Sequence, residues 1–149
     1  MAQKITTMLW FDGEAEEAAK FYVSVFKGRK LGKPMKDPRD GKVLVSSFEI
    51  KGRKFDALNG GPEFKFNESV SLVVHCRDQK EIDYYWKKLL AGGGKPSMCG
   101  WLKDRYGVSW QVVPDFLLEQ MRGPKAGKVM QAFMKMRKFD LAALKKAAA

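Results

Sequence analysis

Residues 7–28, TMLWFDGEAEEAAKFYVSVFKG, decide the fold of this chain, because a weak copy recurs at residues 71–92 as SLVVHCRDQKEIDYYWKKLLAG. The two copies are offset by 64 residues, which pairs Glu17 with Glu81. Each copy has the pattern of a short apolar strand, an acidic turn and an amphipathic helix ended by glycine. Such a repeat predicts two half-modules that share one core, with any ligand site between them.

The residues around each copy predict a β-α-β-β-β module. Module one covers about residues 4–60 and module two about residues 70–114, with a hinge at 59–69 and a C-terminal helical extension over 115–149. Alternating apolar residues and turn signals predict the strands. They are Ile5–Phe11, Arg29–Met35, Val43–Ile50, Lys54–Leu58, Val70–His75, one within Lys95–Leu102, and Val108–Val113. The last residues, ALKKAAA, are expected to be frayed.

The composition is typical of one domain, or of two small halves with a common core. No apolar run approaches the roughly 18 residues of a membrane span, and the first residues lack a secretory signal pattern. The two cysteines, Cys76 and Cys99, do not have metal-finger spacing. Free thiols without a signal predict a cytoplasmic protein.

The formal charge is +11, and it is concentrated in two stretches. Residues 27–54 carry ten basic and three acidic side chains, and residues 121–149 carry eight basic and one acidic. A basic surface attracts anions, nucleic acid included. The lysines are scattered over strands and helix faces, however, and no nucleic-acid-binding motif accompanies them. A lysine-rich surface is therefore preferred over nucleic-acid binding.

Three long strings carry a resemblance to a known family: LWFDGEAEEAAKFYVSVF, ALNGGPEFKF and CGWLKDRYGVSWQVVP. They are similar to the PhnB-like, or 3-demethylubiquinone-9 3-methyltransferase-like, branch of the vicinal oxygen chelate (VOC) superfamily, which includes glyoxalase I, bleomycin-resistance proteins and extradiol dioxygenases. The string AFMKMRKFDLAALKKA resembles the tail of that branch. The resemblance implies an α+β fold, in which two βαβββ modules form a curled eight-stranded mixed sheet, and a homodimer.

The methyltransferase activity in the family name is not indicated by the residues. A methyltransferase normally has a glycine-rich loop between a strand and a helix, where backbone amides hold the cofactor. Gly60-Gly61 precede a proline and an aromatic loop, and Gly92-Gly93-Gly94 follow a helix. The sequence also lacks a doubly wound α/β pattern, so no cofactor is predicted.

Metal-dependent members of the superfamily place one ligand on the first and last strand of each module. The repeat and the turn alignment put these positions at Thr7, Asp56, Ser71 and Gln111. Two hydroxyls, one amide and one carboxylate hold a transition metal poorly, since such metals prefer imidazole, thiolate and carboxylate. No metal is therefore predicted. The single histidine, His75, has the strand parity of Ser71 and is interpreted as a capping or surface residue.

What remains is a polar, aromatic-rich site. Thr7, Ser71 and Gln111 are predicted to bind a ligand, and Asp56 is the candidate general base. Possible aromatic walls, which could equally be core or hinge residues, are Trp10, Trp101, Trp110, Phe64 and Phe66. Cys99 has no paired histidine, which argues against a nucleophile.

Two function classes follow from this site. The first is metal-independent binding of a small, planar, neutral or anionic organic molecule in the cleft between the modules. The alternative is an enzyme acting on a small organic substrate, either a lyase, isomerase or dioxygenase relative that uses Asp56, or the methyltransferase of the family name. Phe64 and Phe66 cover the mouth of the site or contact a second copy of the chain.

Overall fold

The structure is a computed structural model that describes residues 3–149. These residues form two compact units, and the boundary between Phe66 and Asn67 falls inside the predicted hinge. Each unit contains one β-α-β-β-β module, and the second also contains the C-terminal helices. The predicted α+β class is confirmed.

The first unit is a five-stranded sheet with one long helix. Its strand order is β1-β5-β4-β2, with β3 also paired to β4. β1 runs parallel to β5, and the other pairs are antiparallel. The elements are β1 (Thr7–Phe11), α1 (Ala15–Phe26), β2 (Arg29–Lys30), β3 (Met35–Lys36), β4 (Val43–Ile50) and β5 (Arg53–Asn59).

The predicted edge strand Arg29–Met35 is divided into β2 and β3. Gly32 between them has φ +68°, which turns the chain out of the extended conformation. Pro34 has no N–H to donate to a ladder. The described residues consequently contain nine strands, where eight were expected.

The second unit repeats the arrangement of the first. Its strand order, β6-β9-β8-β7, again places the first and last strands of the module side by side and parallel. The other pairs are antiparallel. The elements are β6 (Ser71–Cys76), α2 (Gln79–Leu90), β7 (Lys95–Pro96), β8 (Trp101–Lys103) and β9 (Ser109–Pro114).

The two copies differ in the turn between strand and helix. Three residues separate β1 from α1, but only two separate β6 from α2. The offset of 64 therefore holds for the helices and becomes 65 in the strands. Leu9 and Phe11 are the buried residues of β1, and their equivalents in β6 are Val74 and Cys76. Because side chains alternate between the faces of a strand, this single residue decides which face each position occupies.

The C-terminal extension folds onto the second unit. Gln79, at the start of α2, donates its Nε2 to the carbonyl of Phe139 at 3.0 Å and accepts the Leu141 N–H on Oε1 at 2.8 Å. Asp140 caps the last helix, and Leu144 is fully buried. The expectation of a frayed end is wrong, because this packing continues the helix. The helices are α3 (Asp115–Gln120), α4 (Ala126–Phe133) and α5 (Leu141–Ala148).

We predict that Leu144→Ala lowers the free energy of unfolding by about 2–5 kcal/mol, the usual cost of removing a buried leucine side chain. Leu118→Ala is the matched control, since Leu118 lies on α3 and is 39% exposed. Urea unfolding followed by circular dichroism measures both. Equal losses in the two variants would contradict the docking of α5.

Candidate functional site

Each sheet has one face packed by the helix of its own module and one opposite face, which we call the helix-free face. In the first unit Tyr22 of α1 stacks on Phe48 with ring centroids 5.7 Å apart, and Phe48 stacks on Phe55 at 5.4 Å. These rings identify the helix-packed face. Residues that pair across strands lie on the same face, so the strand register assigns each candidate side chain.

Asp56 lies on the helix-free face of the first sheet, where Met8 and Ser47 are its partners on the neighbouring strands. The Ser47 hydroxyl donates to Asp56 Oδ1 at 2.5 Å. Lys54 Nζ lies 3.9 Å from the same oxygen. The Asp56 side chain is only 15% exposed. This carboxylate is thus held by a short hydrogen bond and a nearby ammonium group, which suits a general base or an acceptor for a ligand.

Thr7 is on the opposite face from Asp56, because it pairs with Phe55. Its assignment to the same site is wrong. The prediction placed Thr7 by counting back from Phe21-Tyr22 of the helix, which does not fix the phase of the strand, and one residue reverses the face. The position beside Asp56 belongs to Met8, which is 54% exposed.

The segment after β5 wraps around β1, an edge strand of the first sheet. Trp10, on the helix-free face, donates its indole N–H to the Gly61 carbonyl at 2.9 Å and meets the ring of Phe64 edge-on at 4.9 Å. Phe66 meets the ring of Phe11, whose strand position puts it on the helix-packed face. Trp10 and Phe64 therefore form an aromatic corner at the helix-free face, whereas Phe66 belongs to the packing of the first unit.

Ser71 and Gln111 are in contact on the helix-free face of the second sheet. Gln111 Nε2 donates to Ser71 Oγ at 3.0 Å. Trp101 is the partner of Gln111 on β8, and Lys103 pairs with Ser109 one step along the same face. This group combines an amide, hydroxyls, an indole and an ammonium group on three neighbouring strands.

His75 shares this face through its strand parity with Ser71. Its Nδ1 lies 3.6 Å from Asp115 Oδ1, and both side chains are half or more exposed. The surface interpretation of His75 fits this placement. Val73 lies between Ser71 and His75 in β6 and is the partner of Gln111.

Trp110 does not line the helix-free face. It pairs with Leu72 and Leu102, is 3% exposed, and donates its indole N–H to Asp104 Oδ2 at 2.9 Å. The prediction of a ligand-binding role is wrong for this tryptophan, since it is a core residue anchored to a buried carboxylate. Asp104 Oδ1 also accepts the backbone N–H groups of Tyr106 and Val108.

The four positions at which the resemblance implied metal ligands can now be assigned from the strand register. They are Met8 and Asp56 in the first unit and Val73 and Gln111 in the second. A thioether, an alkyl group, an amide and one carboxylate do not match the ligands of catalytic zinc, nickel or iron. Within residues 3–149, no three His, Cys, Asp or Glu side chains cluster as a metal site. The residues present do not fit a resident metal.

A groove of about 600 Å³ lies elsewhere on the first unit, at the turn that precedes α1. Its lining includes Glu16, Asp37, Asp40 and Lys42, and none of the predicted site residues. Arg39 forms an ion pair with Asp37 at 2.6 Å. Hydrogen bonds that the Arg39 side chain and backbone N–H donate to the Asp37 carboxylate lower the pKa of Asp37 to about 2. The carboxylate charge of this groove is therefore partly neutralised.

Comparison with known proteins shows the family to which the chain belongs. A family model described as 3-demethylubiquinone-9 3-methyltransferase matches residues 3–113. The chain belongs to this family. The PhnB protein from Bacillus cereus is 35% identical over 75% of this chain and 99% of its own, with a TM-score of 0.67. Among curated proteins, none matches.

Two more distant solved structures share the fold of this chain. A glyoxalase-related enzyme from Fulvimarina pelagi is 15% identical, with a TM-score of 0.53 over 77% of this chain and 91% of its own. The fosfomycin resistance protein FosX from Mesorhizobium loti is 12% identical, with a TM-score of 0.59 over 83% of this chain and 99% of its own. The family match ends at residue 113, so the C-terminal extension lies outside it.

Two residues of the first site were missed, and the sequence held a signal for each. The burial of Leu9 and Phe11 against α1 fixes the phase of β1 and leaves Met8 on the helix-free face. A two-residue turn at Lys51-Gly52 makes Ile50 the partner of Arg53. Counting three residues back along β4 and three forward along β5 then gives the Ser47–Asp56 pair.

We predict that Trp110→Phe destabilises the protein by about 1–3 kcal/mol, because the buried Asp104 carboxylate loses a hydrogen-bond donor. Trp101→Phe is the matched control and is expected to change stability by less than about 1 kcal/mol, since Trp101 is only half-buried. Urea unfolding of both variants is the measurement. A larger loss for Trp101→Phe would overturn the core assignment of Trp110.

Proposed function

We propose that this VOC protein binds a small planar organic molecule, neutral or anionic, without a metal. The observation that carries the proposal is the hydrogen-bonded Ser71–Gln111 pair on the helix-free face of the second sheet, flanked by Trp101 and Lys103. The indole supplies a flat apolar surface. The amide and hydroxyl give direction to hydrogen bonds, as is usual in small-molecule sites.

Part of the hydrogen-bonding capacity of this face is unused. The bond between Gln111 and Ser71 leaves the Gln111 carbonyl and the Ser71 O–H available. Ser109, which pairs with both Ser71 and Lys103, has a buried Oγ without a hydrogen-bond partner among residues 3–149. A buried hydroxyl left unpaired costs about 1–3 kcal/mol. A ligand with polar edge groups can pair with the Gln111 carbonyl and the Ser71 hydroxyl, whereas the Ser109 Oγ is closed to it.

Lys103 gives the face a preference for negative charge. Its ammonium forms an ion pair with Glu68, and the two side chains are 40% and 61% exposed. Exposed ion pairs of this kind contribute little to stability. A ligand carboxylate can therefore replace Glu68 at small cost, so an aromatic carboxylate is the ligand class that this face favours.

We predict that aromatic carboxylates raise the melting temperature of the protein, whereas aromatic cations of the same size do not. A ligand at 100 times its Kd stabilises by about 2.7 kcal/mol. Gln111→Ala and Trp101→Ala are each expected to weaken binding by at least about tenfold, which corresponds to roughly 1.4 kcal/mol.

Gln131→Ala is the matched control, because it removes the same amide from an exposed position on α4. Fluorescence titration measures the affinities, and Trp101→Phe identifies the signal of that indole. Binding that Gln111→Ala and Gln131→Ala affect equally would contradict the proposed site.

The second candidate function is an enzyme that uses Asp56 as a base. It is supported by the Ser47–Asp56 hydrogen bond and by Lys54 near the same carboxylate oxygen. Such a base would remove a proton from a carbon next to a carbonyl group, and Lys54 would balance the charge that develops.

We predict for this candidate that the protein accelerates exchange of the acidic C–H protons of a cyclic 1,3-diketone into D2O, followed by NMR. Asp56→Asn keeps the shape of the side chain, removes the base, and should slow the exchange by about 10²-fold or more. Ser47→Ala should have a smaller effect. Exchange no faster than in buffer, or unchanged in Asp56→Asn, would eliminate this candidate.

Methyl transfer receives little support from the chain itself. Gly60-Gly61 follow β5 and lead into the segment that wraps β1, and Gly92-Gly93-Gly94 follow α2. Neither is a loop between a strand and a helix N-terminus of the kind that holds nucleotide-like cofactors. Thermal-shift measurement with S-adenosylmethionine tests this, and no stabilisation is expected.

We also propose that the protein is a cytoplasmic homodimer, which rests on the family resemblance and the two free thiols. Among residues 3–149, no helix is long and apolar enough to cross a membrane. Phe64 is 63% exposed and is the aromatic residue that we propose contacts the second copy. Light scattering after gel filtration should give the dimer mass, and Phe64→Ser should shift it toward the monomer.

A further inference from the structure

Four sulfur-containing side chains lie where the turn before β8 meets the end of α4. Cys99 Sγ is 3.9 Å from Met134 Sδ. Met98 precedes Cys99 in the turn. Met130 lies one helical turn before Met134, and the Met134 N–H donates to the Met130 carbonyl. We call Met98, Cys99, Met130 and Met134 the sulfur cluster. None of its residues is used in the function proposed above.

The thioethers of the sulfur cluster are not used to fill the core. Met98, Met130 and Met134 are 42%, 44% and 57% exposed. Methionine is normally placed where its flexible side chain fills gaps inside a protein. Three half-exposed methionines around a half-buried thiol are therefore available to an incoming ligand.

The backbone holds Cys99 in an orientation that a cysteine rarely adopts. Its φ of +57° lies in the left-handed region, which is unfavourable for a residue with a side chain. Two hydrogen bonds from the extension hold it there: Cys99 N–H donates to the Met136 carbonyl at 2.7 Å, and Gly100 N–H to the Arg137 carbonyl at 2.8 Å. The segment that fixes the thiol is the same segment that carries Met134, so the two sulfur atoms are positioned together.

We propose that the sulfur cluster binds one soft monovalent metal ion, Cu(I), through the Cys99 thiolate and the Met134 thioether, with Met98 or Met130 as a third ligand. Thiolate and thioether sulfur are the ligands that select Cu(I). A metal–sulfur bond is about 2.3 Å long in zinc thiolates, so two sulfur atoms 3.9 Å apart can share one ion at an S–metal–S angle of roughly 115°. That angle is close to trigonal and leaves room for the third sulfur.

The charge of the cluster favours a monovalent ion. Binding releases the Cys99 proton to solvent, and the thiolate then neutralises Cu(I), which leaves no net charge on the complex. The cluster offers a single thiolate and no carboxylate or imidazole, so it lacks the set of anionic and nitrogen ligands with which zinc is held.

The test is a competition titration of the full-length protein, under anaerobic reducing conditions, against the coloured Cu(I) complex of bicinchoninate. The expected result is removal of one equivalent of Cu(I) by the unaltered protein. Cys99→Ser should weaken the apparent affinity by at least 100-fold. Met134→Leu keeps the side-chain volume, removes the thioether, and should weaken it by at least tenfold. Zn(II) should not compete.

Cys76→Ala is the matched control, because Cys76 is fully buried and its burial raises the pKa of the thiol to about 12. This variant should retain the affinity of the unaltered protein, and circular dichroism verifies that all variants are folded. Failure to remove Cu(I) from bicinchoninate overturns the proposal. Unchanged affinity in Cys99→Ser or in Met134→Leu does the same, since the first would place the ion elsewhere and the second would leave only a lone thiol.

Discussion

The parallel pairing of the first and last strand of each module is the constraint on which the rest of the structure depends. β1 pairs with β5 and β6 with β9, and parallel neighbours need a long connection between them. In each module that connection includes the helix and the other strands. The helix then covers one face of the sheet. The opposite face is left for polar side chains, and both candidate sites lie there.

The sequence predicted the helices better than the strand faces, because the helical and strand periodicities are not equally strong signals. The helical period of α1 and α2 gave correct helices within one or two residues, because an amphipathic stripe 12 residues long is a strong signal. The α+β class and the two βαβββ modules followed from the family resemblance. Strand faces were harder to predict, since a two-residue period reverses with any one-residue change in a turn.

The errors at the site arise either from a wrong strand phase or from side-chain packing that the sequence does not show. Thr7 was misassigned because it was counted back from Phe21-Tyr22 across the turn before α1, and the register pairs Met8, not Thr7, with Asp56. Ser71 was placed by the helix offset of 64, whereas the register of β6 makes Val73 the partner of Gln111; Ser71 still lies on the same face and bonds Gln111. Trp110 was misread because composition does not distinguish an indole that lines a site from one bonded to a buried carboxylate. The frayed C-terminus was expected from composition alone, whereas Gln79 and the burial of Leu144 order it.

The bridge from Gln79 to Phe139 and Leu141 spans about 60 residues of chain. During synthesis α2 emerges long before its partner segment, so the second unit cannot complete its packing until residue 144 has left the ribosome. The first unit closes its own sheet within the first 66 residues and is free to fold earlier. The first unit can therefore fold before the second, although both derive from the same repeated module. The second unit is the one that completes its packing last.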